Sequence, residues 1–146
     1  MYEYKCKVTR VVDGDTVDVV LDLGFSIEYR DRVRLMAIDT PESRTRNKVE
    51  KNLGLASKGR LKDLCQYYKG DLVLRTSKEG KGKFGRILGS LFPTNGDQSL
   101  NERLIEEGYA RPYFGGSKDE YGPWTKEEIG QWYRWTQDGY VLIEED

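Results

Sequence analysis

The stretch Arg32-Val33-Arg34-Leu35-Met36-Ala37-Ile38-Asp39-Thr40-Pro41-Glu42 constrains the fold of this chain more than any other. It alternates as a strand, with Val33, Leu35 and Ala37 on the face expected to be buried, and it ends in polar groups around a proline. On a straight strand Arg34 and Asp39 would face opposite ways, because five residues is an odd step on a period of two. A bend near Ile38 is therefore expected if both serve one place. Pro41 supports it, since proline has no N–H for a ladder and holds Thr40 away from helical angles. The strand would then deliver a guanidinium, a carboxylate, a carbonyl and a second carboxylate to one sheet rim.

The flanking sequence supplies more short strands. Cys6 and Val8 alternate with Lys5, Lys7 and Thr9 in a first strand over residues 2–12, and Val17, Val19 and Leu21 mark a second. Asp13-Gly14-Asp15-Thr16 between them reads as a hairpin connection in which Gly14 is free to take positive φ. Leu23-Gly24 is the next turn, and a third strand runs from about Ile27 into the stretch above. Ser43 to Lys51 has no apolar period and carries Arg44, Arg46 and Lys48, so it reads as a mobile basic loop at the rim of the site. Leu53, Leu61, Leu64, Cys65 and Tyr68 fall at helical spacing, with Gly70 as the C′ residue. Leu72-Val73-Leu74 is a fourth strand, Ser77 to Lys83 a flexible turn, and Ile87 to Phe92 a fifth strand.

Ser99-Leu100-Asn101-Glu102 has capping-box spacing and opens a short helix stopped by Gly108; Tyr109 to Gly116 reads as an aromatic loop. Thr125 as N-cap and Glu128 at N3, with Ile129, Trp132 and Tyr133 as a buried stripe, predict a third helix. These elements fit an α+β, mainly β, fold: a five-stranded OB-type Greek-key barrel with three α-helices. One domain over residues 1–146 is expected, with a C-terminal helix and tail from about 117. Periodicity alone leaves other α+β folds open.

Composition removes several function classes. No apolar run approaches the roughly eighteen residues needed to span a bilayer, so no membrane partner is expected. The N-terminus alternates like a strand and has no apolar signal core. A cytoplasmic location is expected if the chain is full length, and secretion if a signal has been removed. Two cysteines and no histidine leave zinc and histidine chemistry without their usual groups, and Cys6 and Cys65 read as buried or surface thiols. The net charge is −1, yet from Arg44 to Arg86 there are thirteen Lys/Arg against four Asp/Glu, and from Asp97 to Asp146 five against twelve. A basic middle alone is weak evidence for phosphate binding.

Asp13-Gly14-Asp15-Thr16, Arg34 through Glu42, the basic loop and Lys83-Phe84-Gly85-Arg86 together carry chemistry. Carboxylates without histidine or thiolate suit a hard cation bound through oxygen, calcium or magnesium. Two arginines can hold phosphoryl oxygens by paired donors as charge develops. Glu42 remains to orient or deprotonate a water. Metal-assisted phosphodiester hydrolysis uses all of these.

These motifs resemble those of the staphylococcal nuclease, or thermonuclease, family: Asp-Gly-Asp-Thr, then Arg, four residues and Asp-Thr-Pro-Glu, then aromatic-Gly-Arg, over about residues 3–113. The resemblance implies a five-stranded barrel with three helices and a calcium-dependent nuclease, acting on DNA and RNA to leave 3′-phosphates. It implies that Asp15, Asp39 and the carbonyl of Thr40 bind Ca2+ with Asp13 nearby, that Arg34 and Arg86 clamp the scissile phosphate, and that Glu42 is the general base. A monomer with a preference for single strands is expected. The chain departs from the family where tyrosine often precedes Gly-Arg: Phe84 has no hydroxyl, and Gly82 stands where an acidic residue is frequent. Lys83 and Phe84 are therefore placed beside the substrate, with Tyr113 and Phe114 where the family holds aromatics over the nucleotide. The alternative function is a non-catalytic nucleic-acid or protein-binding module on the same barrel, but degenerate copies can dispense with Asp15, Arg34, Asp39, Glu42 and Arg86, and all five are present.

Overall fold

The computed structural model describes residues 2–81, 86–113, 133–136 and 139–142, with side chains described for 2–76 and 86–113. In chain order the elements are β1 (Tyr2–Asp13), β2 (Thr16–Asp22), β3 (Glu28–Leu35), β4 (Ile38–Asp39), α1 (Lys48–Tyr67) and β5 (Leu72–Lys81). β6 (Ile87–Pro93), α2 (Leu100–Glu106), β7 (Arg111–Pro112), β8 (Tyr133–Thr136) and β9 (Gly139–Leu142) follow.

Five strands close a barrel in the order β1-β2-β3-β6-β5, the arrangement of the OB type. β1 pairs antiparallel with both β2 and β5, whereas β3 and β6 run parallel, with Val33 opposite Ile87 and Arg34 opposite Leu88. The register of β1 against β2 slips between Val8 and Arg10 and again between Val11 and Asp13. Such bulges bend a strand and increase its twist, which lets one long strand serve two neighbours around a small barrel. Alternation puts Val17, Val19, Leu21, Val33 and Leu74 inside, and Leu61 and Leu64 of α1 and Leu104 of α2 join the same core. Cys6 and Cys65 are both buried, and burial pushes each thiol up to about 12, so both stay protonated at neutral pH.

Several local expectations change. The helix begins at Lys48, inside the segment expected to be a basic loop, because Asn47 caps it by accepting from Val49 N and Glu50 N. Its first turn, Lys48-Val49-Glu50-Lys51, holds a single apolar residue, so no apolar period announced it. Gly70 does take positive φ, +85°, but two residues past the Tyr68 cap rather than one. β5 runs on to Lys81, where a turn was expected, with irregular register against β6 after Thr76. Gly14 is not in the left-handed region; it is needed because a Cβ there would lie 2.8 Å from Ser57 Cβ and 2.9 Å from Thr40 Oγ1. Two helices lie among the described residues. Residues 125–132 of the expected third helix lie outside them, and Tyr133, expected on that helix, instead opens β8, which pairs with β9.

A cluster of charge joins the two helices. Glu107, just past α2, accepts from Arg60 of α1 at 2.6 and 3.2 Å and from Arg103 at 2.7 Å, and Arg103 also donates to Tyr68 Oη. Burial pushes the Glu107 carboxyl up, but the two arginines outweigh it and hold the group below its ordinary value of 4.5. Because the folded pKa is the lower one, the stabilisation is present above the ordinary glutamate range and is lost as pH falls through the depressed value. Glu107→Gln is therefore expected to lower the urea midpoint at pH 7 and to converge with the parent once the pH falls below the depressed value. Parallel midpoint curves across that range would show that the carboxylate charge is not what ties the helices together.

Candidate active site

The bend expected near Ile38 lies between β3 and β4. Ala37 takes φ +65°, a left-handed conformation that ordinary residues enter only at a cost. It is exposed rather than buried, so the alternation that placed it with Val33 and Leu35 fails where the strand stops. Backbone bonds hold the bend on both sides: Met36 N donates to Gly89 O, and Tyr113 N donates to Ala37 O. Asn101 of α2, 3% exposed, donates to Met36 O and Gly89 O and accepts from Leu91 N. One side chain thus pins the bend to β6.

The guanidinium of Arg34 fills the inside of the bend. It donates to Leu35 O at 2.8 Å and Ile38 O at 2.9 Å, and one nitrogen lies 3.4 Å from an Asp15 carboxylate oxygen. Asp15 in turn accepts from Thr16 Oγ1 at 3.0 Å and from the Thr40 amide at 3.3 Å. The β1–β2 turn and the segment after β4 therefore meet, and Arg34 and Asp15 are brought together with Thr40. Asp39 is 2% exposed, and its Oδ2 accepts from Arg111 Nε at 3.1 Å, with the second Arg111 nitrogen at 3.0 Å. Pairing of β4 with β7 places Asp39 opposite Arg111 and Ile38 opposite Pro112.

Asp13 accepts from the buried Ser43 hydroxyl, which ties the hairpin turn to the chain just beyond Glu42. Glu42 itself is exposed at the rim, behind the buried Pro41, and its amide lies 3.5 Å from a Glu50 carboxylate oxygen. Gly54 of α1 lets the helix touch this segment directly: a Cβ there would fall 2.5 Å from the Glu42 carbonyl carbon and oxygen. The Tyr113 ring lies beside Arg34, with its centroid 5.9 Å from the guanidinium carbon, a cation–π distance. Arg86 is half-buried on the approach to β6, two positions ahead of the residue that pairs with Arg34. Lys83, Phe84 and Phe114 lie outside the described residues.

Sequence reading missed Arg111, Ser43 and Asn101, each of which orients a site segment from far away in the chain. An arginine in Tyr-Ala-Arg-Pro, a serine after Glu42 and an asparagine inside a capping box carry no local signal of such partners. The third of these was visible only as a helix-start residue.

The donor set fits a hard divalent cation. Asp15 and Asp39 supply two buried carboxylates, Thr40 a carbonyl, and Thr40 Oγ1 is a buried oxygen without a hydrogen-bond partner among the described residues. No three acidic or cysteine side chains cluster as a metal cage among the described residues. An ion here would rely on few protein oxygens and complete its shell from water and phosphate. The thiols of Cys6 and Cys65 belong to the hydrophobic core.

The sequence profile described as staphylococcal nuclease homologue matches residues 32–132. The chain is 33% identical over 114 residues to the thermonuclease of Staphylococcus intermedius, a match covering 78% of this chain and 62% of that protein. It is 32% identical over 103 residues to endonuclease YncB of Bacillus subtilis, covering 70% of this chain and 44% of the relative. To the SPbeta prophage-derived endonuclease YokF of Bacillus subtilis it is 31% identical over 145 residues, covering 90% of this chain and 44% of the relative. The chain thus spans less than two thirds of each of these relatives. With a profile that covers well over half of its length, a closed five-stranded barrel of the OB type and the bend that joins Arg34 to Asp15, the chain belongs to the staphylococcal nuclease family.

Proposed function

We propose that this protein is a calcium-dependent nuclease that hydrolyses phosphodiester bonds of DNA and RNA, prefers single strands, acts as a monomer and leaves 3′-phosphates. The observation that carries the reading is the convergence of Asp15, Thr40 and the Arg34 guanidinium at one bend, next to the buried Asp39. Relatives named thermonuclease and endonuclease support it.

Asp15, Asp39 and the Thr40 carbonyl would hold the ion, and Asp13 steadies the turn through Ser43. When bound, calcium supplies positive charge to a non-bridging phosphoryl oxygen. The protein's own groups do the rest. Glu42, exposed at the rim, orients a water and takes its proton as the oxygen attacks phosphorus. Arg34 and Arg86 donate to the equatorial oxygens, where charge grows in the transition state. The bond from phosphorus to the 5′ oxygen breaks, that oxygen takes a proton from solvent, and the phosphate stays on the 3′ side. Tyr113, beside Arg34, offers a ring face to a nucleotide base or sugar.

The deciding experiment incubates single-stranded DNA with the protein in calcium or in chelator. Cleavage is expected to stop in chelator and to return with added calcium, better than with magnesium. Equal turnover in chelator would remove the metal from the mechanism. Asp15→Asn should raise the calcium concentration needed for half-maximal turnover, a separate check on the ligand assignment.

A further inference from the structure

The long helix α1 carries a row of lysines that the site above does not use. Lys48, Lys51, Lys58 and Lys62 are spaced 3, 7 and 4 residues apart, which places them on one line within about 80° of the helix circumference. Leu53, Ser57, Leu61 and Leu64 face the core on the other side. Over fourteen residues the row extends about 21 Å. Lys51 and Lys58 are the i−3 and i+4 neighbours of Gly54, the residue whose backbone abuts Glu42 and Ser43. The row therefore passes along the seam where the helix meets the site rim. Leu55, 46% exposed, sits in the middle of it.

Stability gives no reason for this pattern. Lys48/Lys51 and Lys58/Lys62 are like-charge pairs at i,i+3 and i,i+4, which weaken a helix, and none of the four has an acidic residue three or four positions away. Among the described residues none of them forms an ion pair, whereas Arg60, off the row, is held by Glu107. Two of the four stand in the first turn, where the helix dipole disfavours cations, and the last turn has no basic residue. An extended polyanion is the partner that such a row fits.

We propose that Lys48, Lys51, Lys58 and Lys62 form a track for the phosphate backbone of a single nucleic-acid strand leaving the active site past Glu42. The direction of the strand rests on the nuclease reading, but the binding itself does not depend on cleavage. The lysines hold successive phosphates outside the scissile position, and Leu55 offers apolar contact to a sugar or base. The track serves strands that reach beyond the site and contributes nothing to a dinucleotide.

The test compares the wild type with a variant carrying Lys48→Gln, Lys51→Gln, Lys58→Gln and Lys62→Gln, after thermal melting has established that both are folded. Binding of a 16-nucleotide single strand and of a dinucleotide is measured in chelator over a salt series. The longer strand should bind at least about tenfold more weakly to the variant, and its log–log salt slope should be shallower by about 2.8, at roughly 0.7 per phosphate contact. Dinucleotide affinity should be unchanged, and replacing the same four lysines by arginine should keep the wild-type slope. Unchanged affinity and slope for the 16-mer would overturn the track, as would equal losses for both lengths. Matched competition by polyglutamate that the Gln variant also loses would assign the row to acidic protein instead. A wild type that binds the 16-mer by this row yet cleaves nothing in calcium would overturn the nuclease reading and leave the track standing.

Discussion

Replacing Arg34 by methionine is expected to damage both stability and turnover. The side chain is 8% exposed, and it is the donor that holds Leu35 O and Ile38 O on the inside of the bend. Its loss also leaves the 6%-exposed Asp15 carboxylate without this ion pair, and breaking a buried pair from one side costs about 3–5 kcal/mol. In the transition state the same guanidinium would be one donor to the phosphoryl oxygens, and losing such a donor costs about 10²–10³ in turnover. Arg34 thus has a backbone role that its place in the motif did not reveal. Arg86→Met offers the contrast: Arg86 is half-buried at a strand start, so a similar loss of turnover with a smaller loss of stability is expected. Urea midpoints and turnover at saturating substrate and calcium, measured well below each melting temperature, separate the two effects. Wild-type turnover in a folded Arg34→Met protein would confine this residue to holding the bend.

Two glycines of α1 should respond oppositely to the same substitution. Gly54→Ala would place a methyl 2.5 Å from the Glu42 carbonyl group and 2.6 Å from the Ser43 nitrogen. All three atoms are backbone, so no rotamer change relieves the contact, and either the helix or the Glu42 segment must move. If Glu42 acts on the attacking water as proposed, a displacement of about 1 Å there can cost about 10² in rate. Gly59 has nothing within 4 Å of its would-be Cβ among the described residues, so Gly59→Ala should stabilise the helix by about 0.8–1 kcal/mol with turnover unchanged. Denaturation midpoints and turnover for the pair form one experiment with an internal control. A Gly54→Ala protein with both midpoint and turnover unchanged would show that this contact does not hold the Glu42 segment in place.

The sequence by itself determined most of the barrel strands and the need for a bend, because both are local. Alternation over residues 2–12, 16–21 and 87–92 depends only on the period of a pleated strand, and it located β1, β2 and β6 to within a residue or two. The need for a bend before Asp39 followed from the parity of five residues, and Ala37 makes it. The capping box at Ser99 likewise needed nothing beyond its own turn. Where the signal depended on partners far along the chain, tertiary structure decided. The first turn of α1, with Val49 as its one apolar residue, has no periodic face, so only the Asn47 cap marked its start. Gly14 looked like a turn glycine, but the approach of Ser57 and Thr40 is what excludes a side chain there. Tyr133 matched a helical stripe, yet it pairs across to Leu142 in a strand. Arg111 gave no local sign that it would meet Asp39, 72 residues away. A carboxylate's neighbours across the fold are set by closure of the barrel, and no window of sequence contains that.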